Sequence, residues 1–355
     1  MRFFRQGICF LGFILFLSCR HSIASQTQIV FNTTCTISTT LAVNLSTLFS
    51  SLKEFEAAFD CRDPYSLLNK RLSQSDEVYF DGIQGRIFLE SAKITSFLAG
   101  AFDPTIGELV SLWKIGFGGT KIPTKAQIGQ ALQNSGLDKT SYFRTSDGVI
   151  WGRAGGSFSL DYGACAKGYA IDLLLEHLAI EEKKIKKESL LINLGGNIFV
   201  AGNSFSGKKW RIGIQNPFSP RGEYCLVLEL EQGFVSTSGI YERYFEFEGE
   251  RYHHILDPKN GYPAKSGLAS VSVIGNNGIL CDSCSTGFFV LGIEESMKRL
   301  HQYNETHPLT PLSAIFITLL GEVYITEDLK TTLSFVDGCD KTTNQIVPEF
   351  FLLKR

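Results

Sequence analysis

The chain has 355 residues, 44% of them apolar, and 34 Lys and Arg nearly balance 36 Asp and Glu for a formal net charge of -2. That composition permits a sizeable core in one large domain or two fused lobes. Without a run of like charges it excludes the electrostatic footprint of a nucleic-acid binder, and without an internal repeat or low-complexity tract it excludes solenoids and disordered scaffolds.

The first segment, MRFFRQGICFLGFILFLSC, carries two arginines, an apolar run from Gly7 to Leu17, then Ser18 and Cys19. This is the pattern of an export signal, and the run is short for a bilayer span. Two processing sites compete. Phe16-Leu17-Ser18-Cys19 resembles a bacterial lipobox, with Cys19 lipidated; Ser22-Ile23-Ala24 fits small-x-small cleavage before Ser25. The lipobox is preferred. Residues 1–24 are therefore assigned to the signal and 25–355 to a single domain, exported to the bacterial periplasm or cell envelope and anchored to the membrane through Cys19. Of the nine cysteines, Cys9 and Cys19 belong to this segment. The remainder are odd in number and scattered apart from one pair, so no disulfide framework is indicated and most are read as small buried hydrophobes.

Thr33 to Ile37 is β-branched and predicts a strand; Leu41 to Phe59 carries apolar residues at helical spacing. Ile87 to Phe97 predicts a second helix, leading into AGAFDPTIGELVSLW. A polar, glycine-bearing stretch follows. Phe158 to Asp161 then predicts a short strand and Lys167 to Leu178 a helix. Leu190 to Asn193 and Ile198 to Ala201 flank the turn Gly195-Gly196. Trp210 to Ile214, Cys225 to Leu230, Phe234 to Ser236 and Glu242 to Phe247 alternate as strands with one solvated face. Val271 to Ile274 predicts a strand, Leu280 to Leu291 a helix, and Ala314 to Leu319 with Glu322 to Ile325 a hairpin. Strands cluster in runs rather than alternating with helices, so the class is α+β, with mixed and antiparallel sheets flanked by helices.

Several junctions carry chemistry. In SLDYGACAKGYAID, Asp161 ends a strand, Gly163-Ala164 allow close backbone approach, and Lys167 stands in a helix's first turn. This suits a phosphate, although a plain strand-to-helix turn with an exposed lysine explains it equally. In AGAFDPTIG, Pro104 biases Asp103 towards an extended or turn conformation, and Ala101-Phe102 offer backbone groups and a ring; a capping aspartate beside a core phenylalanine is the alternative. RYHHILDPKNGYP sets His254 beside a turn, without the spacing of a zinc site.

CDSCSTGFFVLG opens with C-x-x-C, which reads as a redox pair, half of a zinc site, or two structural thiols around an aspartate. On a helix, Asp282 and Thr286 stand at i and i+4, one turn apart on one face. A carboxylate and a hydroxyl are hard oxygen ligands of the kind magnesium or calcium prefers. Cys281 and Cys284 lack a second pair for zinc, and the βαβ setting of a redox dithiol is incomplete.

Six blocks occur in one order: AFDPTIGELVSLW, LDYGACAKGYAID, INLGGNIFVAG, WRIGIQNP, STSGIYERYFEFEGERYHHILDPKNGYP and CDSCSTGFFVLG. In order and spacing they resemble the flavin:protein FMN transferase family, also called ApbE, over nearly the whole chain from Val30. The resemblance implies an α+β fold with the flavin nucleotide bound between lobes, Mg2+ as cofactor and FAD as substrate. It implies transfer of FMN to a Thr or Ser hydroxyl of an acceptor protein, a membrane redox subunit, with loss of AMP. It places the metal at Ala164, Asp282 and Thr286, and the flavin nucleotide at Ala101, Phe102, Asp103, Asp161, Lys167, Ala170 and Leu256. His254, Asp282 and Lys167 become the catalytic candidates, His254 to assist deprotonation of the acceptor hydroxyl. Two positions depart from the family pattern: Phe31-Asn32-Thr33 stands where it usually reads Met-Gly-Thr, and Ile240 replaces a common aspartate. A Mg2+-dependent FAD pyrophosphatase and a non-catalytic flavin-binding lipoprotein are the alternatives.

Overall fold

The computed structural model describes residues 22–153, 158–179, 188–336, 346 and 349–353. The export segment, with Cys9 and Cys19, and Cys339 lie outside the described residues.

The described chain begins with a hairpin, β1 (Ala24–Val30) and β2 (Thr33–Thr39), paired antiparallel from Ala24↔Thr39 to Val30↔Thr33. Its two-residue turn is Phe31-Asn32, with φ of 55° and 54°, the left-handed pair that a type I′ hairpin turn requires. β1 is largely polar, which is why the apolar pattern pointed only to β2, and its pairing starts one residue before the assigned domain boundary.

Helix α1 (Leu45–Phe59) starts later than the spacing predicts, because the Asn44 side chain accepts from Ser46 N and caps it. α2 (Leu67–Leu72), β3 (Glu77–Asp81) and α3 (Gly82–Phe97) follow, then α4 (Gly107–Trp113) and α5 (Lys125–Gln133), the latter opened by a Thr124/Gln127 capping box. β4 (Thr140–Arg144) and β5 (Gly148–Arg153) join β3 in a small sheet ordered β3-β5-β4.

The predicted strand at Phe158 to Asp161 is instead a tie to the 104–107 segment. Ser159 forms a single parallel bridge with Ile106, Asp161 N donates to Pro104 O at 2.7 Å, and Gly107 N donates to Ser159 O at 3.1 Å. A Cβ on Gly107 would lie 2.8 Å from Ser159 O, so glycine permits the contact. α6 (Ala166–Ala179) follows directly.

The main sheet has nine strands in the order β1-β2-β6-β7-β10-β13-β14-β15-β17. Its later members are β6 (Leu190–Leu194), β7 (Asn197–Ala201), β10 (Gly233–Gly239), β13 (Leu268–Gly275), β14 (Ser313–Thr318), β15 (Val323–Thr326) and β17 (Phe350–Leu353). Neighbours are antiparallel except β15 and β17, so the sheet is mixed. Every residue of β13 is buried, as a central strand covered on both faces should be.

One face carries α1, α3, α6 and α7 (Gly278–Thr306) over the largest apolar cluster. α7 is broken at Gly292 (φ 75°, ψ 176°), so the helix predicted to end at Leu291 stops there and a second begins. The other face is covered by β8 (Trp210–Gln215), β9 (Tyr224–Leu230) and β16 (Leu333–Phe335) over a second cluster. A third, smaller cluster gathers α4, α5 and the hairpin β11 (Tyr244–Phe247) and β12 (Glu250–His253) around Trp113. Among the described residues no helix is long and apolar enough to cross a membrane.

Candidate active site

One cavity lies at the seam between the largest cluster, which supplies Ala101 and Phe102, and the smallest, which supplies Trp113, Ile115 and Leu256. Its floor is the meeting of α6 and α7. Lys167, in the first turn of α6, places Nζ 3.6 Å from Asp282 Oδ2 and donates to Gly163 O at 3.3 Å. Asp282 is only 4% exposed, yet both its oxygens are addressed: Gly168 N donates to Oδ2 at 3.0 Å and Asn197 Nδ2 to Oδ1 at 3.1 Å. Thr286, one turn on, shares a hydrogen bond with Ser238 of β10 at 3.1 Å and faces the same cavity, as does Ala164. The C-x-x-C thiols do not. Cys281 and Cys284 are fully buried and free, and burial pushes both thiols well up, so they are inert packing groups between which Asp282 is presented.

The remaining candidates arrive from loops tied to this floor. Asp161 Oδ1 accepts from Gly163 N at 2.6 Å, which shapes the turn before α6, and Oδ2 accepts from the Cys61 thiol at 3.3 Å. Asp103 lines the cavity but spends its carboxylate on structure, accepting from Thr105 N, Thr105 Oγ1 and Leu137 N. Burial raises its pKa against those bonds. Ala170 is the exception: it is 1% exposed, packed in the main core, and does not line the cavity.

The two adjacent histidines divide their roles. His253 is buried against Phe289, with Nε2 at 3.0 Å from Ala264 O and Nδ1 accepting from Ile255 N. His254 opens into the cavity, with Nδ1 at 3.2 Å from Arg243 O. A carbonyl only accepts, so Nδ1 carries the proton and Nε2 keeps its lone pair. Burial, then the nearby Arg243 charge, lowers His254 to about 3, and the ring is neutral at physiological pH.

Several cavity residues were not among the candidates. Phe31, Asn32 and Thr33 line it from the β1–β2 turn, at the position where the family pattern departs. Arg62 and Arg243 both stand over the Phe117 ring, their guanidinium carbons 4.3 and 4.8 Å from its centroid. A Cβ on Gly116 would meet Arg243 Cδ at 2.6 Å, so that glycine seats the arginine stem. Arg62 pairs with Asp60 at 2.8 Å, whereas Arg243 has no carboxylate within salt-bridge distance among the described residues. The one available hint was the glycine cluster around Phe117.

A model of the ApbE family matches residues 31–309. The chain belongs to the ApbE family. It is similar to the FAD:protein FMN transferase of Klebsiella pneumoniae, 35% identical over 251 residues that cover 70% of this chain and 74% of the relative. The FAD:protein FMN transferase of Treponema pallidum is 34% identical over 218 residues, 58% of either chain. Among solved structures, the ApbE protein of Thermotoga maritima matches with a TM-score of 0.76 at 27% identity, over 88% of this chain and 99% of that one. The flavin transferase ApbE from Vibrio cholerae matches with a TM-score of 0.71 at 24% identity and the same coverage, a likeness of fold. In this chain the cavity sits where the helical face of the nine-stranded sheet meets the Trp113 cluster.

The donor set on the floor fits a hard cation. No group of three or more His, Cys, Asp or Glu that could hold a metal occurs among the described residues. A carboxylate, a hydroxyl and a main-chain carbonyl are oxygen donors, the set Mg2+ takes while keeping waters and substrate phosphates. Asp282, held by Gly168 and Asn197, retains lone pairs for such an ion.

Proposed function

We propose that the protein transfers the FMN half of FAD to a Thr or Ser hydroxyl of an acceptor protein in a Mg2+-dependent reaction that releases AMP. The observation that carries this reading is the convergence of Lys167, Asp282, Thr286 and a neutral His254 on one cavity of an ApbE-family chain. The acceptor oxygen forms a bond to the FMN phosphorus as the bond from that phosphorus to the AMP oxygen breaks. The acceptor proton goes to His254 Nε2, whose lone pair the Arg243 carbonyl leaves free. Bound phosphates raise the basicity of that ring from its low resting value. Lys167 adds a point charge beside the pyrophosphate, and Asp161 shapes the glycine turn that lets backbone approach it. Asp282, Thr286 and the Ala164 carbonyl would hold Mg2+, which when bound neutralises charge developing on the phosphoryl oxygens.

Two further elements rest on the export segment. Lipidation at Cys19 holds the enzyme at the cell envelope, where the acceptor is a membrane redox subunit facing the same compartment. Loss of fatty-acid labelling in Cys19→Ala tests the anchor. For the reaction itself, the protein is mixed with FAD, Mg2+ and an acceptor domain, and AMP release is followed with flavin fluorescence that survives denaturation. Covalent flavin rising in step with AMP is the expected result. AMP with free FMN alone identifies a pyrophosphatase, and bound FAD without AMP overturns catalysis.

A further inference from the structure

α6 and α7 touch backbone to backbone. A Cβ on Gly168 would lie 2.0 Å from Gly278 O, and one on Gly278 would lie 2.3 Å from Gly168 O, so neither position accepts a side chain without moving a helix. At this crossing the two helices exchange carboxylates. Gly168 N of α6 donates to Asp282 of α7, and one turn further along α6 the favour is reversed. Asp172 Oδ1 accepts from Gly278 N and Oδ2 from Ile279 N, each at 2.8 Å. Asn277 takes the next donor, Leu280 N, at 2.9 Å. The first-turn N–H groups of α7, which a helix leaves unpaired, are thereby all satisfied, two of them from another helix.

Asp172 does not line the cavity, so it is no ligand of substrate. Its place in the fold gives it a different task. Asp282 is the fifth residue of α7 and Lys167 the second of α6, and their 3.6 Å separation is set by how the two helix ends are joined. Three things join them: the glycine contact, the Gly168–Asp282 bond and the Asp172 bidentate cap. The cap alone leaves the carboxylate of Asp282 uninvolved.

We infer that Asp172 is a positioning residue for the transfer site, locking the start of α7 to α6 so that Asp282 meets Mg2+ and Lys167 in register. The inference rests on the function proposed above. A carboxylate at a helix N-terminus could also serve stability alone; the distinction lies in whether the ion feels its loss. Groups that orient metal ligands alter metal affinity by about 10- to 100-fold when removed.

The test uses the full chain and Mg2+ alone as probe. Isothermal titration of Mg2+ into wild type, Asp172→Asn and Asn277→Ala is paired with kcat and KM for FAD in the transfer assay. Asp172→Asn keeps the size and one acceptor but turns an N–H towards the helix. The expected result is a Mg2+ dissociation constant raised about tenfold or more and a lower kcat, with KM for FAD little changed. Asn277→Ala, which uncaps α7 without touching α6, lowers the melting temperature while leaving Mg2+ affinity near wild type. If Asp172→Asn does not fold, Asp172→Glu replaces it: the carboxylate survives one methylene too long, and the same rise in the Mg2+ constant is expected. Unchanged Mg2+ affinity and kcat with only a lower melting temperature overturns the inference. Wild type that neither binds Mg2+ nor transfers FMN overturns the proposed function instead, and is seen before any variant is compared.

Discussion

The floor and the rim of the cavity are built by different means. On the floor, Asp282 is nearly inaccessible and is held by a backbone N–H, a buried asparagine and a lysine, over a helix crossing so close that only glycines fit. At the rim, Arg62, Phe117 and Arg243 are side chains resting on one another, and Phe117 is 38% exposed. Backbone-fixed groups hold charge in place at the reacting centre with little reorganisation, which phosphoryl transfer requires. Stacked side chains adapt to what enters. The proposed function would place the chemistry on the floor and ligand selection at the rim, and variants at each should fail in different ways.

The floor should give the largest loss. Asp282→Ala removes a carboxylate on the same helix face as Thr286 and 3.6 Å from Lys167, and FMN transfer is expected to fall by about a hundred- to a thousandfold, from the cost of a preorganised electrostatic contact. Circular dichroism should keep its native form. Transfer at the wild-type rate would remove Asp282 from the metal site. His254→Gln comes next, with kcat down by about a hundredfold and KM for FAD nearly constant, the signature of lost proton transfer rather than lost binding.

The same histidine offers a pH test. His253 and His254 are lowered to about 4 and 3, chiefly by burial, so in the folded protein both stay neutral where an unfolded histidine, with a pKa of about 6.5, takes up a proton. The pair contributes stability that is complete above pH 6.5 and is lost progressively as pH falls towards those folded values. Melting temperature should therefore drop between pH 7 and pH 4.5, and drop less in His254→Gln. Ring-proton shifts of His254 that titrate near pH 6.5 would contradict the neutral assignment.

How much of this was legible in the sequence follows the same division. Lys167, Asp282 and Thr286 sit on two segments that read as helices, so i, i+4 spacing alone put the last two on one face. Phe158 to Asp161 reads as a short strand, but its backbone bonds go to Pro104 and Gly107, a pairing that no local pattern encodes. Asn197 reaches Asp282 across 85 residues of chain. Arg62 follows α1 and Arg243 precedes β11, so nothing in the sequence brings them to one ring. Ala170 was assigned to the site through the resemblance, yet its helical face turns into the core. The helix spacing of Asp282 and Thr286 could be read from the chain itself, the loop residues Asp103, Asp161 and His254 came with the resemblance, and Arg62 and Arg243, brought together by the fold, came from neither.

The rim should give the smallest and most selective change. Arg243 lies partly buried, and burial together with Arg62 lowers its pKa without dislodging its proton. With no carboxylate within salt-bridge distance among the described residues, its charge faces a ligand at the mouth, and the Phe117 ring and Gly116 fix its direction. At a ring as exposed as Phe117 a cation–π contact contributes about 0.5–1 kcal/mol, so its loss predicts an effect of tenfold or less. Arg243→Gln should raise KM for FAD by up to about tenfold and leave kcat within about twofold. Phe117→Ala should do the same more weakly, since both guanidiniums stay but lose their common seat. If kcat falls instead while KM holds, Arg243 acts through the carbonyl that orients His254, and the rim belongs to the chemistry after all. Running the Arg243→Gln series beside His254→Gln separates the two, because only the histidine's loss should persist at saturating FAD.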